Sequence, residues 1–109
     1  MPKKPPSPQT LGTYFPGMLE AHRALQAAVA QGGPLDERTR ELILLGAFTV
    51  ARQEGGFKSH CRRALAAGAT PEEVRQAVAV TMGNITSVEQ VADALLWAAE
   101  VLDASADGA

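Results

Sequence analysis

The sequence predicts an all-α domain, and three observations lead to that prediction. Hydrophobic residues make up 46% of the 109 positions and aromatic residues only 5%, a balance that favours closely packed helices over a β-sandwich. Apolar residues recur at helical spacing in several segments. The segments Thr70-Pro71-Glu72-Glu73 and Thr86-Ser87-Val88-Glu89 have the pattern of a helix capping box. We therefore expect five helices and no strand.

Composition limits the classes of function. A length of 109 residues suits one domain. The net charge is −2 and no basic patch stands out, which disfavours nucleic acid as a partner. The single cysteine cannot form an internal disulfide, and no apolar run approaches the ~20 residues of a membrane span. Because the N-terminal residues also lack the apolar core of a signal peptide, we expect a soluble cytoplasmic protein without a membrane partner.

The chain divides into an arm, a helical domain and a tail. Four of the seven prolines lie in the first ten residues, so residues 1–15 are expected to form a partly disordered N-terminal arm. An arm that crosses onto a neighbouring subunit is the alternative. Residues 16–104 form the helical domain, and residues 105–109 form a tail that should fray.

Capping residues and glycines set the expected helix boundaries. We expect helices over residues 16–31, from 36 to a break at 55–56, over about 57–67, from 71 to near 83–84, and from 88 to about 102. The second is apolar nearly all round and should be central, with Gly46 marking a close helix crossing.

Trp97 lies outside the apolar stripe of the last helix, which predicts a contact beyond the subunit's own core. His22 lies in an apolar stripe, where a buried or interfacial role is expected and a second proton-transfer role is the alternative.

Glu41 and His60 are the candidate catalytic residues. Glu41 shares a helix face with Leu45 and Phe48, and a carboxylate on an apolar surface is unfavourable unless it is paired. His60, on the following helix, could be the partner, and such a couple suits general acid–base chemistry. In the alternative interpretation, Glu41 forms a solvent-side ion pair with Arg38 or Arg40 and His60 is a partly exposed surface residue.

The spacing of Glu41, His60, Ala64 and Gly68, followed by Ala69-Thr70-Pro71-Glu72-Glu73, resembles the carboxymuconolactone decarboxylase family, which includes the alkylhydroperoxidase D-like proteins. The resemblance extends over about Met18 to Leu102. It implies a five-helix alkylhydroperoxidase D-like bundle that assembles as a homo-oligomer, a trimer or a hexamer.

The two branches of this family imply different chemistry. In the alkylhydroperoxidase D-like branch, residues matching Glu41 and His60 relay protons to a Cys-x-x-Cys pair, whose positions here hold Gln53 and Gly56. A dithiol peroxidase cycle needs both thiols. Cys61 is not a motif position and is expected to be a small buried residue. A one-cysteine peroxidase that uses an external thiol is the alternative.

The decarboxylase branch lacks the cysteine pair, as this chain does. The resemblance implies a substrate similar to 4-carboxymuconolactone and a reaction that needs no cofactor and no metal, because the conjugated lactone accepts the electrons. His60 would donate the proton and Glu41 would orient it, while Arg52, Arg63 and Gln53 are candidate substrate-binding residues. Three hypotheses remain: a cofactor-free lyase acting on a small carboxylated or lactone-like molecule, a peroxiredoxin-like antioxidant protein, and a non-catalytic family member.

Overall fold

Six α-helices account for the regular structure of the residues that the structure describes. The computed structural model describes residues 7–107, with side chains through residue 105, and contains no strand within that range. The helices are α1 (Pro8–Tyr14), α2 (Pro16–Gln31), α3 (Glu37–Ala51), α4 (Glu54–Ala66), α5 (Pro71–Ala79) and α6 (Val88–Asp107). The all-α prediction is confirmed, although six helices are present where five were predicted. None of them has both the length and the apolarity that a membrane span requires.

The first compact unit, described from residue 7 to Leu35, contains α1 and α2. Helix α1 was not predicted, since its residues fall within the expected N-terminal arm. Pro8 takes its first position, where the fixed backbone angle of proline suits a helix and the missing N–H removes no bond. The prolines before Ser7, on which the expectation of disorder rested, lie outside the described residues. No residue of α1 or α2 is buried within the described structure, and His22 is half-buried.

The second unit, from Asp36 onward, contains α3 to α6 around one apolar core. Helix α3 is central as predicted, because it packs against α4, α5 and α6. The fully buried side chains that anchor this core include Phe57, Leu45, Val74 and Val78. Thr70 caps α5 through its hydroxyl, which accepts the Glu73 N–H at 3.1 Å, so this predicted capping box is present.

The break between α3 and α4 differs from the prediction. Helix α3 ends at Ala51, where Arg52 adopts a left-handed conformation with φ 56° and ψ 42°. Glycine usually fills this position at a helix end, so an arginine there gave no signal in the sequence. Gln53 is the extended residue before α4, and Gly55-Gly56 lies inside the first turn of α4 rather than between the helices.

Helix α5 is shorter than predicted and α6 is longer. Helix α5 ends at Ala79 rather than near residues 83–84 because Thr81 closes a turn in which its carbonyl accepts the N–H groups of Ile85 and Thr86. Gly83, with φ 79°, provides the left-handed residue of that turn. Helix α6 continues to Asp107, beyond the expected end near residue 102.

Two packing predictions concern Gly46 and Trp97. A Cβ atom on Gly46 would lie 3.2 Å from the carbonyl oxygen of Ala77 on α5, so the predicted close crossing is confirmed. The ring of Trp97 packs edge-on against Phe57, with ring centroids 5.6 Å apart, beside the core of its own subunit. Because Trp97 is only partly buried there, its contact beyond that core stays a prediction.

Candidate functional site

An acid and an imidazole meet between α3 and α4. The Nδ1 atom of His60 lies 2.6 Å from Oε2 of Glu41. Their side chains are 14% and 11% exposed, respectively, so the contact is sheltered but not sealed from solvent. A contact this short is a hydrogen bond between the carboxylate and the ring nitrogen. The contact between the two helices that the sequence analysis expected is therefore present.

Local sequence explains why Glu41 points inward. Asp36 caps α3, since its side chain accepts the Thr39 N–H at 2.8 Å. From there Glu41, Leu45 and Thr49 follow at intervals of four and are the buried residues of α3. The Thr49 hydroxyl donates to the Leu45 carbonyl at 2.8 Å, so its own polar group is satisfied. Glu41 is the charged member of this inward face, and its described partner is His60.

Arg38 pairs with Glu73 rather than with Glu41. Arg38 was one alternative partner for Glu41. Its guanidinium bonds instead to Glu73, with Nε 3.3 Å from Oε1 and an ion pair between Nη2 and Oε2. This ion pair ties α3 to the capping residue of α5, and it leaves the imidazole of His60 as the described partner of Glu41.

The candidate substrate-binding residues lie on the surface near the ends of α3 and α4. Arg52 and Gln53 form the connection between the two helices and are exposed. Arg63 is also exposed and follows His60 by three positions on α4, which places it about one turn further along nearly the same face. The structure gives no described contact between any of these three side chains and the Glu41–His60 pair.

Cys61 points away from the pair and into the core. It is fully buried, in contact with the cluster that includes Leu45 and Val74. Burial raises the pKa of the Cys61 thiol, with a smaller opposing effect from Arg62. A raised thiol pKa lowers the thiolate fraction and therefore the reactivity.

Phe48 is a further residue of the site, although the sequence indicated only that it shares a helix face with Glu41. The ring of Phe48 lies beside the imidazole of His60, with centroids 5.1 Å apart and an angle of 32° between the planes. Phe48 follows Glu41 by seven positions, or two helical turns, so the two side chains share one side of α3. That spacing was visible in the sequence, but it indicated only a core residue.

Two grooves of the second unit lie away from the Glu41–His60 pair. A groove of about 360 Å³ between α3 and α5 is lined by residues that include Leu42, Ile43, Gly46 and Val80. A wider one of about 870 Å³ between α4 and α6 includes Arg62 and Val101. Neither lining includes Glu41 or His60. Among the residues that the structure describes, no three His, Cys, Asp or Glu side chains lie close enough together to hold a metal ion.

Comparison with known proteins identifies the family of this chain. Residues 16–100 match the carboxymuconolactone decarboxylase family, and the chain belongs to that family. A protein of Haemophilus influenzae described as an uncharacterized protein is 44% identical over 54 residues, which are 50% of this chain and 48% of that relative. The match thus spans about half the length of the relative. No solved structure matches this chain significantly.

Proposed function

We propose that this protein is a cofactor-free acid–base catalyst of the carboxymuconolactone decarboxylase type, acting on a small carboxylated or lactone-like molecule. The observation that carries the proposal is the 2.6 Å contact between Glu41 and His60 in a sheltered position. Histidine is the side chain best suited to exchange protons near neutral pH. A carboxylate that holds one ring nitrogen fixes the orientation of the other.

The two residues take different roles. Glu41 accepts a hydrogen bond from Nδ1 of His60. The other ring nitrogen, Nε2, is therefore the atom that exchanges a proton with the substrate. In decarboxylation, the bond between the substrate carbon and its carboxylate breaks and carbon dioxide leaves. The electron pair moves into the conjugated lactone, and a proton from Nε2 adds to the distant carbon of the dienolate. His60 then regains a proton from solvent, and the net consumption is one proton per carbon dioxide released.

Substrate binding needs a positive group beside the pair. Arg63 is the strongest candidate, because its exposed guanidinium follows His60 by one turn of α4 and can bind a carboxylate through two hydrogen bonds. Arg52 and Gln53 are further candidates at the adjoining helix ends. Neither groove of the second unit includes the pair. We therefore propose that a neighbouring subunit of a trimer or hexamer contributes further walls.

Exposed apolar residues support this assembly. Ile43, Ile85, Val88 and Leu96 are each more than half exposed in the single chain, and large apolar side chains left in water favour association.

The antioxidant alternative has less support, because Cys61 is buried and positions 53 and 56 lack thiols. A non-catalytic role is the remaining alternative, which the activity experiment decides.

The direct experiment measures carbon dioxide release from 4-carboxymuconolactone, with protonation at carbon followed by NMR in deuterated water. His60→Gln and Glu41→Gln should each lower kcat by about 10²–10⁴-fold, the usual contribution of general acid–base catalysis. His22→Gln is the matched control and should retain activity. Arg63→Gln should raise KM more than Arg62→Gln. Equal turnover by wild type and His60→Gln would refute the assignment, and peroxide turnover lost in Cys61→Ser would favour the antioxidant alternative.

A further inference from the structure

His60 is held by two side chains of α3, and only one of them is polar. Glu41 contacts Nδ1 at 2.6 Å. Phe48 contacts the ring itself, at 5.1 Å between centroids and with the planes tilted by 32°. Tilted or offset arrangements at this separation are favourable for aromatic rings. A single hydrogen bond fixes one atom of the imidazole but leaves the ring able to turn about that bond, and a packed neighbouring ring limits this rotation.

The same phenylalanine explains the glycine at position 56. A Cβ atom on Gly56 would lie 2.5 Å from Cε1 and 2.8 Å from Cζ of Phe48, well inside van der Waals contact. Gly56 lies in the first turn of α4 with a helical backbone, so its conformation does not itself require glycine. Gly56 and His60 are four positions apart and therefore share a face of α4. The Phe48 ring thus occupies the space above Gly56 and beside His60.

We propose that Phe48 is a positioning residue for His60, and that Gly56 is required because any side chain there displaces the Phe48 ring. Glu41 sets which nitrogen of His60 carries the bound proton, and Phe48 sets the direction in which Nε2 points. The role in turnover rests on the proposed function. The structural coupling of Gly56, Phe48 and His60 does not depend on it.

The structural coupling is tested by NMR on the full-length protein. The chain has two histidines, so a His60→Gln sample identifies the Cε1–Hε1 signal of His60. Phe48→Leu should shift that signal by removing the ring current of the neighbouring aromatic ring. Gly56→Ala should shift it as well, because the added methyl group displaces Phe48. In a Phe48→Leu background, Gly56→Ala should have little further effect.

Controls separate this effect from a general disturbance. Gly17→Ala also adds a methyl group in the first turn of a helix, but apart from its chain neighbours and its own helix backbone no described atom lies within 4 Å of the added Cβ. It should leave the His60 signal unchanged. Circular dichroism of each variant checks that helical content is retained. If Gly56→Ala shifts the His60 signal equally with and without Phe48, or does not shift it at all, the proposed coupling is wrong.

The kinetic experiment tests the positioning role. Phe48→Leu should lower kcat by about three- to tenfold, in line with the usual energy of an aromatic pair, with little change in KM. Phe48→Tyr, which retains a ring, should restore most of that loss. If the NMR experiment shows the structural coupling but neither the wild type nor any variant converts the substrate, the proposed function fails and the structural coupling stands. Unchanged kcat in Phe48→Leu, in an active protein, would overturn the positioning role.

Discussion

The contact between Glu41 and His60 should contribute measurably to folding, and a double-mutant cycle isolates that contribution. The cycle uses Glu41→Leu, His60→Leu and the double variant, which remove the hydrogen bond without adding a new one. A hydrogen bond to a charged group contributes about 1.5–3 kcal/mol. Because the two side chains retain 11% and 14% exposure, water can partly replace a missing partner. We therefore expect a coupling energy of about 2 kcal/mol.

The ion pair between Lys58 and Glu54 provides a coupling energy with which that of Glu41–His60 can be compared. The Nζ atom of Lys58 lies 2.6 Å from Oε2 of Glu54, four residues earlier on α4, and the Glu54 side chain is 55% exposed. Because Lys58 is 21% exposed and also pairs with Glu100, this cycle is measured in a Glu100→Gln background. Exposed pairs at this spacing contribute about 0.3–0.5 kcal/mol. Both cycles are measured by urea unfolding at one protein concentration, with helical circular dichroism as the signal. A Glu41–His60 coupling no larger than that of the exposed pair would show that burial does not strengthen the contact, and the argument for a sheltered site would fail.

Three further predictions concern the thiol, the helix crossing and the cap of α3. Cys61 should react with a thiol reagent only after urea unfolding, because it is fully buried and its pKa is raised; rapid reaction of the native protein would contradict this. Gly46→Val should lower the free energy of unfolding by about 1–3 kcal/mol through overpacking against Ala77, and unchanged urea midpoints would refute the close crossing. The pKa of Asp36 is lowered, mainly by the hydrogen bond from the Thr39 N–H, so its charge stabilises the fold above pH 3.8 and that contribution is lost as the pH falls below this value. The stability difference between wild type and Asp36→Asn should therefore shrink as the pH falls from neutral into acid, and a difference that does not change with pH would contradict it.

The sequence predicted most of the features that depend on a few neighbouring residues, although the second capping box is formed by Ser87 and Gln90 rather than by Thr86 and Glu89. The Thr70 capping box, the Asp36 cap and the inward face that includes Glu41 each follow from residues within two helical turns, and all three are present. Gly46 was also interpreted correctly, because a glycine inside an apolar helix has few explanations other than a close contact. The meeting of Glu41 with an imidazole was one of two interpretations of a carboxylate on an apolar face, and the family resemblance was the reason to favour it.

Features set by contacts between helices were not predictable in this way. The glycine pair at 55–56 indicated a helix break, yet the break occurs at Arg52, whose left-handed conformation is uncommon for a side chain of that size. Gly56 has a different role, which depends on the ring of Phe48 from another helix. No local pattern distinguishes a glycine that ends a helix from one that makes room for a neighbour, so the boundary between α3 and α4 was placed incorrectly.

The position of Phe48 also bears on how the two branches of the family differ. The resemblance noted in the sequence implies that position 56 matches one cysteine of the thiol-dependent branch, and in this chain a Cβ atom there would meet the Phe48 ring at 2.5 Å. A cysteine at position 56 therefore conflicts with an aromatic ring that also contacts His60. We therefore expect a thiol at position 56 to need a smaller residue at position 48, and under the proposed positioning role that change would remove a contact that orients the imidazole. The ring of Phe48 thus links the residue type allowed at position 56 to the packing of His60.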